Sequence, residues 1–134
     1  MKKFKVLPHR ADLKIKAFGR DKKELFLNTL LAMTESQKTK NLKEQIKREI
    51  KITSSDLPAL LVDFLSEALY LGQVNQEVYS RVIFKRFTDK KIEGKLIGLK
   101  VKRFGEDVKA VTYHNLDIHQ KKDKTWEATV LFDV

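Results

Sequence analysis

The residues best able to do chemistry in this sequence are oxygen donors and cations gathered near its two ends. Asp133 precedes Val134, so a side-chain carboxylate neighbours an α-carboxylate. Two carboxylates held that close either repel or share a cation. Asp12 follows His9 at the other end; taken alone it is an ordinary strand-end aspartate, a residue type rarely buried. Lys109 stands among apolar neighbours in VKAVTYH, where a lysine normally snorkels to water. His114 and His9 could serve as general bases, although a lone histidine is more often a hydrogen-bonded structural residue. Asp63 and Glu67 are four apart, which on a helix puts both on one side. Their mild repulsion would suit a cation or a basic partner, and two solvated carboxylates near lysines is the plainer reading.

Other chemistries find no support. The chain has no cysteine, hence no disulfide framework, thiolate nucleophile or zinc–sulfur site. It shows no phosphate-binding glycine loop, no Ser–His–Asp order and no paired metal motif. A metal-dependent hydrolase is weakly supported, because no activating base accompanies the carboxylates.

These residues must be positioned by elements that the hydropathy pattern outlines. Val108, Ala110 and Thr112 alternate with Lys109, Val111 and Tyr113, a strand signature. Trp126, Ala128, Val130, Phe132 and Val134 alternate in the same way with Thr125–Asp133. Lys121–Lys124 between them reads as a polar turn, so the C-terminal region is expected to be a hairpin over Val108–His119 and Thr125–Val134. At the other end Phe4–Leu7 is a short strand ended by Pro8. Leu13, Ile15 and Ala17 alternate with Asp12, Lys14, Lys16 and Phe18 as a second strand, with Gly19-Arg20 turning it.

Asp21 and Glu24 have capping-box spacing, and the apolar residues that follow predict a helix over 22–36. Lys38–Lys43 breaks it. Ile46, Arg48, Ile50 and Ile52 alternate as a strand whose Lys and Glu face suits an edge or solvent. Ser54-Ser55-Asp56 offers an N-cap and Pro58 suits a first turn. A broad apolar face then predicts a second helix over 57–71, with Gly72 as its stop. Val78, Arg81–Phe84 and Phe87 form a further strand, Lys91–Lys102 another, and Gly105 turns into the hairpin. Two helices among this many strands give an α+β layout: a mostly antiparallel β-sheet with two α-helices packed on one face.

With 134 residues, 42% of them hydrophobic, the chain reads as a single domain over 1–134 with a real core. No apolar run in the sequence looks like a membrane span, and the N-terminus lacks a signal-peptide core. A soluble, cytoplasmic protein is expected. The formal net charge of +10 favours a polyanionic partner, most simply RNA. The alternative is lysine dispersed over a solvated surface. Aromatics are sparse where the lysines cluster, which argues against stacking on single strands.

Taken in order, His9-Arg10-Ala11-Asp12 (H-x-A-D), a helix, LLVDFLSEALYL, K-A-V-T-Y-H at Lys109–His114 and a closing F-D-V resemble the archease family along nearly the whole chain. VKAVTYH at this distance from the end is the specific element. The resemblance implies metal ligands at Asp12, Asp133 and Val134, all oxygen donors suited to a hard divalent cation, with calcium expected and magnesium also compatible. It implies a functional role for Lys109, whose ammonium could pair with the carboxylates or with a partner's phosphate. It gives His9 a part in shaping the loop before Asp12 and marks Glu67 as a further acidic candidate.

The sequence departs from the family pattern in having Arg10 where threonine is usual, a shortened loop at Phe104–Asp107, and a strongly basic composition. The activity implied is non-enzymatic: activation of the GTP-dependent RNA ligase that joins tRNA exon halves, promoting ligase guanylylation and repeated turnover. The other reading is a basic RNA-binding module or RNA chaperone acting through its positive surface, which salt would weaken steeply.

Overall fold

The computed structural model describes residues 1–7 and 11–134. In chain order these form β1 (Phe4–Leu7), β2 (Asp12–Gly19), α1 (Lys22–Ser36), β3 (Lys40–Thr53), α2 (Leu57–Asn75), β4 (Glu77–Phe87), β5 (Lys91–Arg103), β6 (Ala110–Gln120) and β7 (Trp126–Asp133). All the pairings are antiparallel.

Both helices begin where the sequence places a cap. The Asp21 carboxylate accepts the Glu24 N–H at 2.8 Å, satisfying one of the unpaired donors of the first turn. Glu24 reaches back one residue further than in a capping box, accepting from the Arg20 N–H at 3.0 Å and from the Arg20 guanidinium. Asp56 caps α2 through the Ala59 N–H at 2.8 Å, with Pro58 in the first turn.

Helix α2 does not stop at Gly72 but runs on to Asn75, where Gln76 enters the left-handed region at φ 57° and donates to the Gly72 carbonyl. Gly72 has a packing role instead: a Cβ there would stand 2.5 Å from the Glu77 carbonyl oxygen. At this length α2 is also apolar enough to cross a membrane by length and composition, contrary to the expectation that no such run exists. Its apolar residues are those of a core helix: Leu60, Leu61, Phe64, Leu65, Ala68 and Leu69 are buried in the protein.

The α+β class is as expected, but the strands divide into two sheets, ordered β1-β2-β7-β6 and β3-β5-β4. Each helix packs against strands of both. The reason lies in α2, whose buried residues include Val62 as well as the Leu60–Leu61 and Phe64–Leu65 pairs. Apolar surface spread so far round a helix cannot be covered from one side. Rings from three elements join the layers: Phe26 of α1 meets Phe87 of β4 edge-on at 5.0 Å and lies 5.6 Å from Phe64 of α2, which lies 6.2 Å from Phe84 of β4. One buried cluster draws on both sheets and both helices.

Strand β3 starts at Lys40, earlier than its apolar alternation, because Lys40 and Asn41 pair with Arg103 and Val101 across a bulge. It is an edge strand, as its charged outer face suggested. Strand β6 pairs with β7 in two pieces: the register jumps between Thr112 and Asp117, with Asn115 at φ 57° inside the break.

The helix-facing side of the three-stranded sheet holds one charged group in full burial. The Glu77 side chain is 0% exposed. It accepts from the Arg48 guanidinium through both oxygens, at 2.9 and 2.7 Å, and from the Tyr79 hydroxyl at 2.7 Å. Lys100 stands 3.2 Å away. These contacts, the Arg48 hydrogen bonds foremost, hold the Glu77 carboxyl at about 2 against an ordinary 4.5. Burial, then the hydrogen bond to Glu77 and its charge, push the Tyr79 phenol up.

The two outward faces differ in charge balance. By register, the three-stranded sheet turns Lys47, Lys51, Lys91, Lys95, Arg81 and Arg86 outward against Glu49 and Glu93. The four-stranded sheet turns Lys5, Lys14 and Lys16 outward, with Lys121 over the outward Phe18 ring at 5.6 Å, against Asp12, Asp117, Glu127 and Asp133.

Candidate functional site

At one end of the four-stranded sheet the antiparallel register sets Asp12 of β2 directly opposite Asp133 of β7, and Asp133 opposite Ala110 of β6. Residues so paired have Cβ atoms about 4.5–5.5 Å apart. The backbone N–H of Lys109 donates to the Asp133 carbonyl at 2.7 Å, which brings Lys109 to the same sheet end. This register follows from the apolar pattern. Ile15 and Ala17 of β2 and Ala128, Val130 and Phe132 of β7 are all fully buried. A slip of one residue would turn them to solvent and the carboxylates into the core. Ala11, just before Asp12, sits at φ 56°, a left-handed conformation that costs a non-glycine residue roughly 1 kcal/mol.

A cavity of about 440 Å³ adjoins this sheet end, with Asp12, Leu13, Glu35, Lys38, Glu106 and Val134 in its wall. Glu35 lies in the last turn of α1. The Gln37 carbonyl after that turn accepts the Gly105 and Glu106 N–H groups at 3.1 and 2.9 Å. The loop at Phe104–Asp107 is thereby pinned to the end of α1, which delivers Glu106 to the cavity. Lys38 and Glu106 stand 3.9 Å apart, both well exposed, a pairing worth little in energy.

Asp12 belongs to both neighbourhoods: register joins it to Asp133, and the cavity joins it to Val134. Asp133 itself is not in the cavity wall. Among the described residues the donors here are all oxygens, which fits a hard cation. Among the described residues, no group of three or more His, Cys, Asp or Glu side chains is arranged to hold a metal ion. A site here would therefore draw on main-chain oxygen and water as well as the two aspartates.

The other candidates lie elsewhere. His9 falls outside the described residues. Glu67 lines a separate cavity of about 470 Å³ with Lys51, Asp63, Ser66 and Tyr70. Asp63 accepts from the Ser54 hydroxyl and stands 3.5 Å from the Tyr113 hydroxyl, so it ties α2 to the strand before it and to β6. His114 is exposed at the register break, its N–H donating to the Thr112 hydroxyl at 3.3 Å.

Sequence reading missed Glu35 and Glu106. Neither has a spacing signal; only the close of α1 and the pinned loop bring them to Asp12. It also missed the Glu77 network. Arg48 gave a signal there, because it occupies an inward position between Ile46 and Ile50, where a guanidinium needs a buried partner.

Fold and site together define a small α+β protein that presents paired carboxylates and a lysine at one sheet end. The model of the Archease protein family matches residues 4–134, and the chain belongs to that family. It is 36% identical over 142 residues to the protein archease of Methanosarcina barkeri, covering 99% of this chain and 97% of that one. Against the protein archease of Pyrococcus furiosus the identity is 30%, with both chains fully covered. The solution structure of Methanobacterium thermoautotrophicum protein 1598 superposes with a TM-score of 0.72 at 27% identity over the full length of both chains. The crystal structure of a Thermotoga maritima protein described as an archease, possible chaperone, gives the same TM-score at 22% identity, covering 97% of this chain and 96% of that one, a likeness of fold.

Proposed function

We propose that this protein is a non-enzymatic activator of the GTP-dependent tRNA-splicing RNA ligase, acting in the cytoplasm. In this reading it promotes ligase guanylylation and repeated turnover in exon joining. The observation that carries the reading is the pairing of Asp12 with Asp133 beside Lys109 at one sheet end of an archease-family chain. Such a constellation can order a surface. It has neither the nucleophile nor the nucleotide cradle that ligation needs. The description of the Thermotoga relative as a possible chaperone is in keeping with a protein that acts on another protein.

Asp12, Asp133 and the main-chain oxygen of Val134 bind a divalent cation in this reading, calcium before magnesium. Bound there, the ion would be shared by the two facing carboxylates. The protein's part is to hold the donors on paired strands and to keep the Lys109 ammonium close by for the ligase or its phosphates. A tenfold gain in ligase rate needs only about 1.4 kcal/mol of differential stabilisation.

The test is RNA joining by the ligase of the same source, with and without this protein. Substoichiometric protein is expected to raise the number of ligations per ligase molecule, and the protein alone should join nothing. No effect on that ligase, or joining by the protein alone, overturns the reading. Calorimetry with calcium should find one site, strongly weakened by Asp133→Ala; unchanged affinity in that variant would remove the cation from the account.

A further inference from the structure

The structure assigns the outward face of the three-stranded sheet β3-β5-β4 as a binding surface for the phosphate backbone of helical RNA. This stands apart from the carboxylate site and does not depend on the ligase reading. The outward faces of the two sheets are unequal in charge. Among the described residues, seven cationic side chains against two carboxylates line the outward side of β3-β5-β4, with Lys85 added to the six given by register, whereas the outward face of β1-β2-β7-β6 balances Lys5, Lys14, Lys16 and Lys121 against four carboxylates. A uniformly solvated lysine coat would not separate the charges in this way.

The arrangement is fixed by the sheet and not by flexible loops. Same-face residues along a strand lie about 6.7 Å apart and neighbouring strands about 4.8 Å apart, so the cations form a grid. Glu93 of the middle strand is shared by Lys91 at 3.3 Å and Lys51 at 3.8 Å, and these contacts hold its carboxyl below the usual range, with Arg86 adding to the effect. Glu93 is thus outnumbered by its own neighbours. A depression of about 630 Å³ on this face is lined by Lys47, Lys51, Lys85 and Lys95 together with Glu49 and Glu93.

The face also says which polyanion it suits. Tyr79, Phe84 and Phe87 of β4 pair with Gly98, Gly94 and Ile92 of β5, on the helix-facing side. No aromatic ring is left among the outward residues of this sheet, so there is no platform on which unstacked bases could lie. Backbone contact without base readout is how proteins grip double-helical RNA, by charge and shape. Binding of this kind is weak at physiological salt and falls steeply as salt rises.

The test uses a fluorescently labelled RNA hairpin of tRNA-arm size, titrated with the full chain across a salt series. Two variants of equal net charge are compared: Lys47→Ala/Arg81→Ala/Lys95→Ala on the proposed face, and Lys5→Ala/Lys14→Ala/Lys16→Ala on the other sheet. The first should lose at least tenfold in RNA affinity at low salt, and the slope of log affinity against log salt should fall by about 2–3, close to one for each lost phosphate contact. The second should stay within twofold of the wild type. Equal losses in both variants would show that net charge alone is acting, and would overturn the assignment. So would an unchanged RNA affinity in the first variant accompanied by loss of ligase activation, which would make this face a protein-docking surface. Thermal melting of both variants within a few degrees of wild type establishes that the sheets are intact. A single-stranded RNA of the same length that binds more tightly than the hairpin would also refute the helical specificity.

Discussion

Removing the charge of Glu77 should cost more stability than almost any other single polar change in this protein. Glu77 is fully buried, and its folded-state pKa lies at about 2 against an ordinary 4.5. That interval, at 1.36 kcal/mol per pH unit, measures how strongly the folded protein prefers the carboxylate over the neutral acid: roughly 3 kcal/mol. The same contact raises the pKa of Arg48, so the energy is counted once, on the glutamate. Arg48 and Lys100 are 37% and 32% exposed, and water recovers part of what they lose. The expected cost of Glu77→Gln is therefore about 2–3 kcal/mol, below the 3–5 kcal/mol typical of breaking a fully buried pair. For a chain of this size that lowers Tm by roughly 10 °C.

The pH dependence gives a second readout. Because the folded pKa is depressed, the stabilisation is fully present above pH 4.5 and is lost as pH falls towards about 2. Urea denaturation followed by circular dichroism, at pH 7 and at steps down to pH 2.5, should show the gap between wild type and Glu77→Gln closing through that window. Other carboxylates titrate there too, but they do so equally in both proteins and cancel in the difference. A variant within 0.5 kcal/mol of wild type at pH 7, or a gap that does not change with pH, would refute the reasoning.

Three further outcomes are expected. Lys109→Ala should leave Tm within a few degrees, since its structural contact is made by the backbone N–H and exposed side-chain changes are usually within about 0.5 kcal/mol, while ligase activation falls sharply; a large melting shift with activation intact would make Lys109 structural. Gln76→Gly should stabilise by about 0.5 kcal/mol in chemical denaturation, because the residue closes α2 at φ 57°, where glycine carries no steric penalty. Gly98→Ala should destabilise by at least about 2 kcal/mol by the same assay, because the added Cβ would stand 1.8 Å from the Val78 carbonyl oxygen, a clash with backbone that neighbouring strands cannot relieve without moving.

What was legible in the sequence was local. Asp21 with the apolar spacing after it placed α1 at Lys22–Ser36 as expected over 22–36, and the alternation in β2 and β7 foretold which side of each strand is buried. What was not legible depended on partners distant in the chain. The start of β3 at Lys40 is set by pairing to the end of β5, not by any apolar pattern of its own. Gly72 read as a helix stop because glycine often ends helices, whereas its function is close approach to Glu77. The division into two sheets follows from how far round α2 the buried residues extend. At the site, the aspartates at the two strand ends could be picked out, and register brought them together. Glu35 and Glu106 needed the fold.

The placement of β7 between β2 and β6 also sets an order of assembly. Strand β2 pairs locally with β1 on one edge, but its other edge takes β7 from the other end of the described chain, and closing so long a loop costs entropy before any contact rewards it. The ladder β3-β5-β4 is drawn from a shorter middle stretch and faces a smaller cost. A partly folded chain can therefore already display the basic face while Asp12 and Asp133 are still far apart. The carboxylate pair comes into being only when the outermost strands have met, so its presence reports that the ends of the described chain have been brought together.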